Sequence, residues 1–164
     1  MKEDARLKRN IQRQVELYPT FAARVVRIIA TLEAAGFRPR IQDAWRSAAA
    51  QAELFAKGTT KVKFGFHNVT GTGGRPESLA VDLLDDDYPV NPRKDYLLQL
   101  ANAAQLEGVH TGIDWGLPPS LREAVKAAVD GKHWNADVKI GWDPTHVEPA
   151  DITISQARAG KRPG

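Results

Sequence analysis

Phe21, Val25, Ile28, Ile29 and Leu32 recur every three to four positions between Pro19-Thr20 and Gly36. That period puts them on one stripe of an amphipathic helix set against a core. Upstream, Leu7, Ile11, Val15 and Leu17 stand among the charges of residues 2–17 and predict a weaker helix. Phe37 to Ala44 reads as a short strand. Ser47 is placed to cap a helix that runs through Phe55 and closes at Gly58. Residues 58–78 hold Gly, Thr and Lys without an apolar period and predict a long loop, a kind of segment that often carries function. Leu79 to Leu84 suits a buried strand, ended by Asp85-Asp86-Asp87. Asn91-Pro92 starts a helix reaching Glu107 and stopped by Gly108. Residues 121–129 predict another helix. Asp137 to Trp142 and Thr145 to Val147 predict two strands with a turn at Asp143-Pro144 between them. Asp151 is expected to cap a last short helix, with Lys161-Arg162-Pro163-Gly164 as a tail. Strands and helices mixed without a regular βα alternation predict an α+β fold.

The chain has 164 residues, 42% hydrophobic and 26% charged, which fits one globular domain over 1–164 and excludes collagen-like, disulfide-scaffold and disordered classes. There is no cysteine, so disulfides, thiolate metal sites and cysteine nucleophiles are excluded. The net charge of +3 gives a mild attraction to polyanions without choosing among them. The basic residues are dispersed and not interleaved with aromatics, which argues against a nucleic-acid module. No apolar run approaches the ~18 residues of a membrane span, so no stable membrane insertion is expected. Met1-Lys2-Glu3-Asp4-Ala5-Arg6 has no apolar stretch behind it and does not read as a Sec-type signal peptide. The expectation is synthesis in the cytoplasm, with another route outward if the protein works there.

Several catalytic signatures are missing. Neither Gly-x-Ser-x-Gly nor Ser-x-x-Lys occurs, and there is no His-Glu-x-x-His. Gly71-Thr72-Gly73-Gly74 lacks the ending of a phosphate-binding loop. The histidines are His67, His110, His133 and His146. His67 lies in Phe64-Gly65-Phe66-His67-Asn68, and His146 in Trp142-Asp143-Pro144-Thr145-His146-Val147-Glu148. Between them Asp82 puts a carboxylate into an apolar strand, which is costly unless it is paired or bound to a metal. Two imidazoles and one carboxylate can give the three protein ligands of a catalytic zinc. Asp143 could then act as general base, and Arg46 could meet a substrate carboxylate or an oxyanion. Each residue also has a plainer reading. His67 could be a loop histidine, Asp82 could pair with Arg40 or Arg46, Asp143-Pro144 could be an ordinary turn, and Arg46 could be structural. His110 and His133 read as non-ligands.

Trp45-Arg46-Ser47-Ala48-Ala49-Ala50-Gln51, Phe66-His67-Asn68, Leu79-Ala80-Val81-Asp82-Leu83 and Trp142-Asp143-Pro144-Thr145-His146-Val147-Glu148 occur in that order. Together they closely resemble the M15 family of zinc peptidases, over about residues 20–160. That family includes D-alanyl-D-alanine carboxypeptidases and the L-alanyl-D-glutamate endopeptidases of phage endolysins. The resemblance implies a hedgehog-like peptidase domain, a small antiparallel sheet flanked by helices. It implies His67, Asp82 and His146 as zinc ligands, Asp143 as catalytic base and Arg46 as the substrate or transition-state cation. It also implies Gln51 as shaping the Arg46 end and Trp115, in Asp114-Trp115-Gly116, as lining the cleft. The family commonly has a shorter spacing between its first histidine and the aspartate. Here His67 and Asp82 are fifteen positions apart, so the segment through Gly71 to Ser78 must loop out for the two to meet. The serine often found two residues before the histidine is Gly65 here.

The expected function is a monomeric, zinc-dependent peptidoglycan hydrolase acting on stem peptides. L-alanyl-D-glutamate endopeptidase of the bacteriolytic, endolysin type is the first reading and D-alanyl-D-alanine carboxypeptidase the second. Export would fall to a partner holin or a secretion system. A different class of reading is a non-catalytic, zinc-containing cell-wall-binding module, for which Asp143 would be superfluous.

Overall fold

The computed structural model describes residues 1–164. The stripe of Phe21, Val25, Ile28, Ile29 and Leu32 is withdrawn from solvent on helix α2 (Pro19–Ala34). Pro19 opens that helix, where a missing N–H breaks no bond. Helix α1 (Glu3–Gln14) also forms, but its apolar stripe is not what docks it: Leu7, Ile11 and Val15 face water, and Arg6 and Asn10 are buried. The reason lies in strand β1 (Pro39–Asp43), an edge strand with free backbone groups. Asn10 Nδ2 donates to Pro39 O at 3.0 Å while its Oδ1 accepts from Ile41 N at 2.8 Å. Arg6 and Arg9 donate to Pro39 O and Ile41 O. Helix α1 thus covers by side chains an edge that would otherwise be open to another strand.

The sheet is completed by β2 (Val81–Asp85), β3 (Val109–Gly112) and β4 (Asp143–Pro149), in the order β1-β2-β4-β3 with every pair antiparallel. Helix α4 (Lys94–Leu106) lies against β3 and β4, α2 against α4 and β1, and α5 (Pro119–Asp130) against α4. Helices α3 (Ala48–Ala56) and α6 (Ile154–Arg158) are short. The result is the expected α+β architecture, a small antiparallel sheet flanked by helices. On β2, Val81, Leu83 and Asp85 are buried, and Asp82 and Leu84 alternate to the other side. The aspartate therefore leaves the core without breaking the strand.

The termini of elements follow local chemistry. Ser47 caps α3 by accepting from Ala50 N, as expected. The last helix is capped by Thr153 in a capping box with Gln156, not by Asp151. One strand was unread in the sequence and one further expectation is corrected. Strand β3 was not foreseen, because Val109 to Gly112 is too short to show a period. Residues 137–142 are not a strand, and Asp143-Pro144 begins β4 instead of separating two strands. The segment before β4 is held by a turn, with Gly141 N donating to Ile113 O and Trp142 N to Trp115 O. Pro144 falls where the β3–β4 register slips between Thr111 and Gly112, so its missing donor breaks no ladder bond.

Residues 58–78 form the expected loop, with 3-10 turns at Phe66–Asn68 and Thr72–Gly74. It is tightly held. Glu77 is buried and accepts from Arg75 at 2.6 Å and from Arg162 of the tail at 2.8 Å. Arg162 also donates to Ala157 O and Thr70 O. A Cβ at Gly71 would lie 2.3 Å from Glu77 Oε1, so a side chain there would push the carboxylate off its partners. The Arg75 guanidinium, with Arg162 beside it, holds Glu77 below the usual carboxylate range although burial pushes the other way. We expect Arg162→Ala to lower the unfolding free energy by about 1 kcal/mol at pH 7, because a buried carboxylate loses one of its two partners. Since the folded pKa of Glu77 is depressed, its pairing contributes fully above its ordinary value of 4.5 and is lost as pH falls through the folded value. Chemical denaturation of both proteins from pH 7 downward should therefore show the gap narrowing in acid.

Candidate metal centre

Strand register brings the first two residues together. Asp82 on β2 lies directly opposite His146 on β4, so their side chains stand side by side on one face. Asp82 Oδ1 is 3.3 Å from His146 Nδ1. His67 arrives from the 3-10 turn Phe66–Asn68, and its Nε2 is 3.5 Å from Asp82 Oδ2. One ligand atom from each of His67, Asp82 and His146 lies within 4.8 Å of the others. The long segment between His67 and Asp82 does loop out. Its bonds to neighbours fix the turn: Arg46 N donates to His67 O at 2.9 Å, and Leu79 N to Phe66 O at 3.0 Å.

The hydrogen bonds settle which nitrogen each ring presents. His67 Nδ1 is 2.6 Å from Ala44 O. A carbonyl only accepts, so Nδ1 carries the proton and Nε2 turns to Asp82. His146 Nε2 is 2.8 Å from Glu148 Oε1. A carboxylate also only accepts, so Nε2 carries the proton and Nδ1 turns to Asp82. Two imidazole lone pairs thus face a carboxylate, an arrangement that needs positive charge between them. Without a metal a proton supplies it. Burial of the His146 ring lowers its pKa, but Asp82 and Glu148 more than reverse this and raise it to about 10. Burial raises Asp82, and hydrogen bonds from His146 and His67 hold it well below the usual carboxylate range. Two imidazoles and a carboxylate, with an acceptor on the far side of each ring, are a donor set that would hold zinc. The residues fit such an ion.

Asp143 and Trp115 stand beside this cluster. Asp143 Oδ2 is 4.0 Å from His146 Nδ1. Burial raises the Asp143 carboxyl pKa, partly offset by His146, which makes it a better proton acceptor than an exposed aspartate. The Trp115 ring centroid is 5.3 Å from that of His146 and 5.4 Å from that of Trp142. Two glycines make room: a Cβ on Gly112 would meet Asp143 O at 2.3 Å, and one on Gly141 would meet Trp115 N at 2.5 Å.

Arg46 is less free than its sequence context suggests. Its Nη1 donates to Gln51 Oε1 at 2.9 Å, and its Nη2 pairs with Asp43, which also pairs with Arg13. Gln51 is buried, and its Nε2 donates to Val62 O at 2.7 Å. Gln51 therefore braces Arg46 and the 57–63 segment from behind. Neither alternative partner of Asp82 is used: Arg40 pairs with Asp86, and Arg46 with Asp43. His133 is not in the cluster, and His110 touches it only through Glu148. Sequence reasoning passed over Asp43, Glu148 and the Ala44 carbonyl. The alternation His146-x-Glu148 on a strand was the one signal that could have revealed Glu148, because it puts both side chains on one face.

No protein-family model matches the chain, and no curated protein matches it. Solved structures do. The crystal structure of the Serratia marcescens L-Ala D-Glu endopeptidase ChiX matches with a TM-score of 0.53 and 18% identity, covering 92% of this chain and 90% of that one. The chain shares the fold of that endopeptidase. A zinc-bound mutant of VanY, a vancomycin-resistance D,D-pentapeptidase from a VanB-type cassette, aligns with a TM-score of 0.40 and 19% identity, covering 85% of this chain and 74% of that one.

If the cluster holds zinc, the ion at a hundred times its dissociation constant should raise the unfolding free energy by about 2.7 kcal/mol. Asp82→Asn should abolish that gain. Thermal or chemical unfolding with and without zinc, for both proteins, checks it. An equal gain in both would place any bound zinc elsewhere.

Proposed function

We propose that the chain is a zinc-dependent peptidoglycan hydrolase that cuts a stem-peptide bond, and that the bond is L-alanyl-D-glutamate. The observation that carries this reading is the convergence of His67 Nε2, an Asp82 carboxylate oxygen and His146 Nδ1, with the Asp143 carboxylate alongside. The fold shared with an L-Ala D-Glu endopeptidase supports the choice of bond. No helix is long and apolar enough to cross a membrane.

His67, Asp82 and His146 would hold the ion. Bound there, zinc supplies a Lewis acid and makes water acidic enough to attack near neutral pH. Asp143 takes the attacking water's proton and returns it to the leaving amine. Arg46, braced by Asp43 and Gln51, aims its remaining N–H groups at a substrate carboxylate or at the developing oxyanion. Trp115 and Trp142 wall the cleft. Stem peptides are rich in carboxylates, which suits the net charge of +3. The protein acts as a single-domain monomer on the wall, delivered by a holin or a secretion system, and its action there is bacteriolytic.

Digestion of purified peptidoglycan followed by mass analysis of the fragments tests the reading. Endopeptidase action releases fragments that begin at D-glutamate with a free amine, and chelator abolishes them. Release of free D-alanine would replace this reading with the carboxypeptidase one, and no new fragment would overturn both. Asp143→Ala should lower kcat by about 10²–10⁴-fold while zinc content is unchanged. Full lysis by that variant would remove Asp143 from the role of base, and wall binding with no released fragment, in wild type and variant alike, would instead support a wall-binding module.

A further inference from the structure

The polar row on the sheet does not end at the three candidate ligands. Strand pairing puts His110 of β3 opposite Glu148 of β4, just as it puts Asp82 of β2 opposite His146. Residues 146 and 148 are two apart on one strand, so they share a face. Four side chains therefore line up across three strands. His110 Nε2 is 3.4 Å from Glu148 Oε2, Glu148 Oε1 is 2.8 Å from His146 Nε2, and His146 Nδ1 is 3.3 Å from Asp82 Oδ1. Exposure falls from His110 to His146: the His110 side chain is 48% exposed, Glu148 15% and His146 11%, with Asp82 beyond them at 23%. An ordinary cross-strand ion pair between His110 and Glu148 would add little at such a half-exposed site. The inner half of the contact has more consequence. An imidazole offers either nitrogen as lone pair or donor, and the bond on its far side decides which. His67 has that choice made by the Ala44 carbonyl. His146 has no backbone partner on its ring, and Glu148 is the acceptor for its Nε2 proton.

We propose that Glu148, anchored by His110, is the positioning residue that fixes His146 as an Nδ1 donor and so sets how tightly a divalent cation is held. The inference rests on the reading of His67, Asp82 and His146 as metal ligands. Without the Glu148 oxygen, the His146 ring no longer has a bond that favours the Nε2-protonated tautomer. A share of molecules then turns an N–H toward the cation, and affinity falls. Glu148 is not a catalytic residue in this scheme, because it touches neither substrate nor reacting atoms. His110 acts one step further out, by holding the Glu148 carboxylate in place.

The test measures the zinc dissociation constant of the full chain by competition with a fluorescent chelator, together with the His146 tautomer by ¹⁵N NMR. Glu148→Ala should weaken zinc by about 10–100-fold. Glu148→Gln, whose amide oxygen still accepts from Nε2–H, should recover most of the loss. His110→Ala should weaken zinc by up to about fivefold, the worth of a half-exposed pair, and should add nothing in the Glu148→Ala background. NMR of the zinc-loaded wild type should show the proton on Nε2 and the metal on Nδ1. Affinity of Glu148→Ala within about twofold of wild type, a Gln variant as weak as the Ala variant, additive losses at the two positions, or a proton on Nδ1 of the zinc-loaded wild type would each overturn the proposal. His110 is half exposed, so His110→Ala decides the matter if Glu148→Ala fails to fold, and unchanged affinity there overturns it. A wild-type chain that binds no zinc overturns the metal-centre reading and the inference with it. Zinc binding that is indifferent to Glu148 overturns the inference alone.

Discussion

A carboxylate set in a sheet directly opposite an imidazole is the constraint around which this molecule is arranged. Asp82 and His146 are locked in register by β2 and β4, so neither can move away without breaking the ladder. The pair is largely shielded from water, and charge that is shielded must be balanced locally. One imidazole would make a simple ion pair. The arrival of His67 on the other carboxylate oxygen turns it into a three-cornered site. The far side of each ring is already occupied by an acceptor, Ala44 O for one and Glu148 for the other. With both protons held outward, the space between the rings and the carboxylate favours a cation. That preference is local and electrostatic, and owes nothing to likeness with another protein.

The delivery of His67 is the more demanding part of the architecture. Asp82 and His146 are positioned by a sheet, whereas His67 sits on a short 3-10 turn in a long loop. Loops that position reactive groups need their own supports. Here the backbone of Arg46 bonds to His67 O, and Asn68 Nδ2 bonds to Arg46 O, so the turn and the start of α3 hold each other. Ser78 is buried, and its hydroxyl reaches the same Ala44 carbonyl that orients His67. Beyond it, Glu77 ties the loop to the tail through Arg162. The extra residues between His67 and Asp82 are therefore clamped at both ends and behave as part of the scaffold.

The sequence made some of this legible and concealed the rest for physical reasons. Helix α2 could be read because five apolar residues on one stripe have no other use. Asp82 stood out because a charge in an apolar run is costly, and the strand's alternation explains how the cost is avoided. Helix α1 was legible as a helix but not in its docking, since a face built from Arg6 and Asn10 has no hydrophobic signature. Strand β3 was too short to show a period, and β4 was misread at its start because proline usually marks a turn. The bulge that accommodates Pro144 lies in β4 itself and shows only in its register against β3. The order of Arg46, His67, Asp82, Asp143 and His146 was visible. The engagement of Arg46 by Asp43 and Gln51 was not, because it depends on how a bulged strand and a helix meet.

That engagement bears on what Arg46 can recognise. A free guanidinium attracts any anion, and its long side chain must lose rotamer freedom on binding. Arg46 has lost that freedom already: Asp43 holds one arm and Gln51 another. Part of its charge is compensated, so it exerts less long-range pull, yet its remaining N–H groups point in fixed directions. Such a group discriminates by position more than by charge, and fixed donors are what a developing oxyanion or a single well-placed carboxylate requires. Trp115 packs against His146, and Trp142 beside it is exposed. An oriented guanidinium and an exposed aromatic face select by position and shape, where a loose cation selects by charge alone.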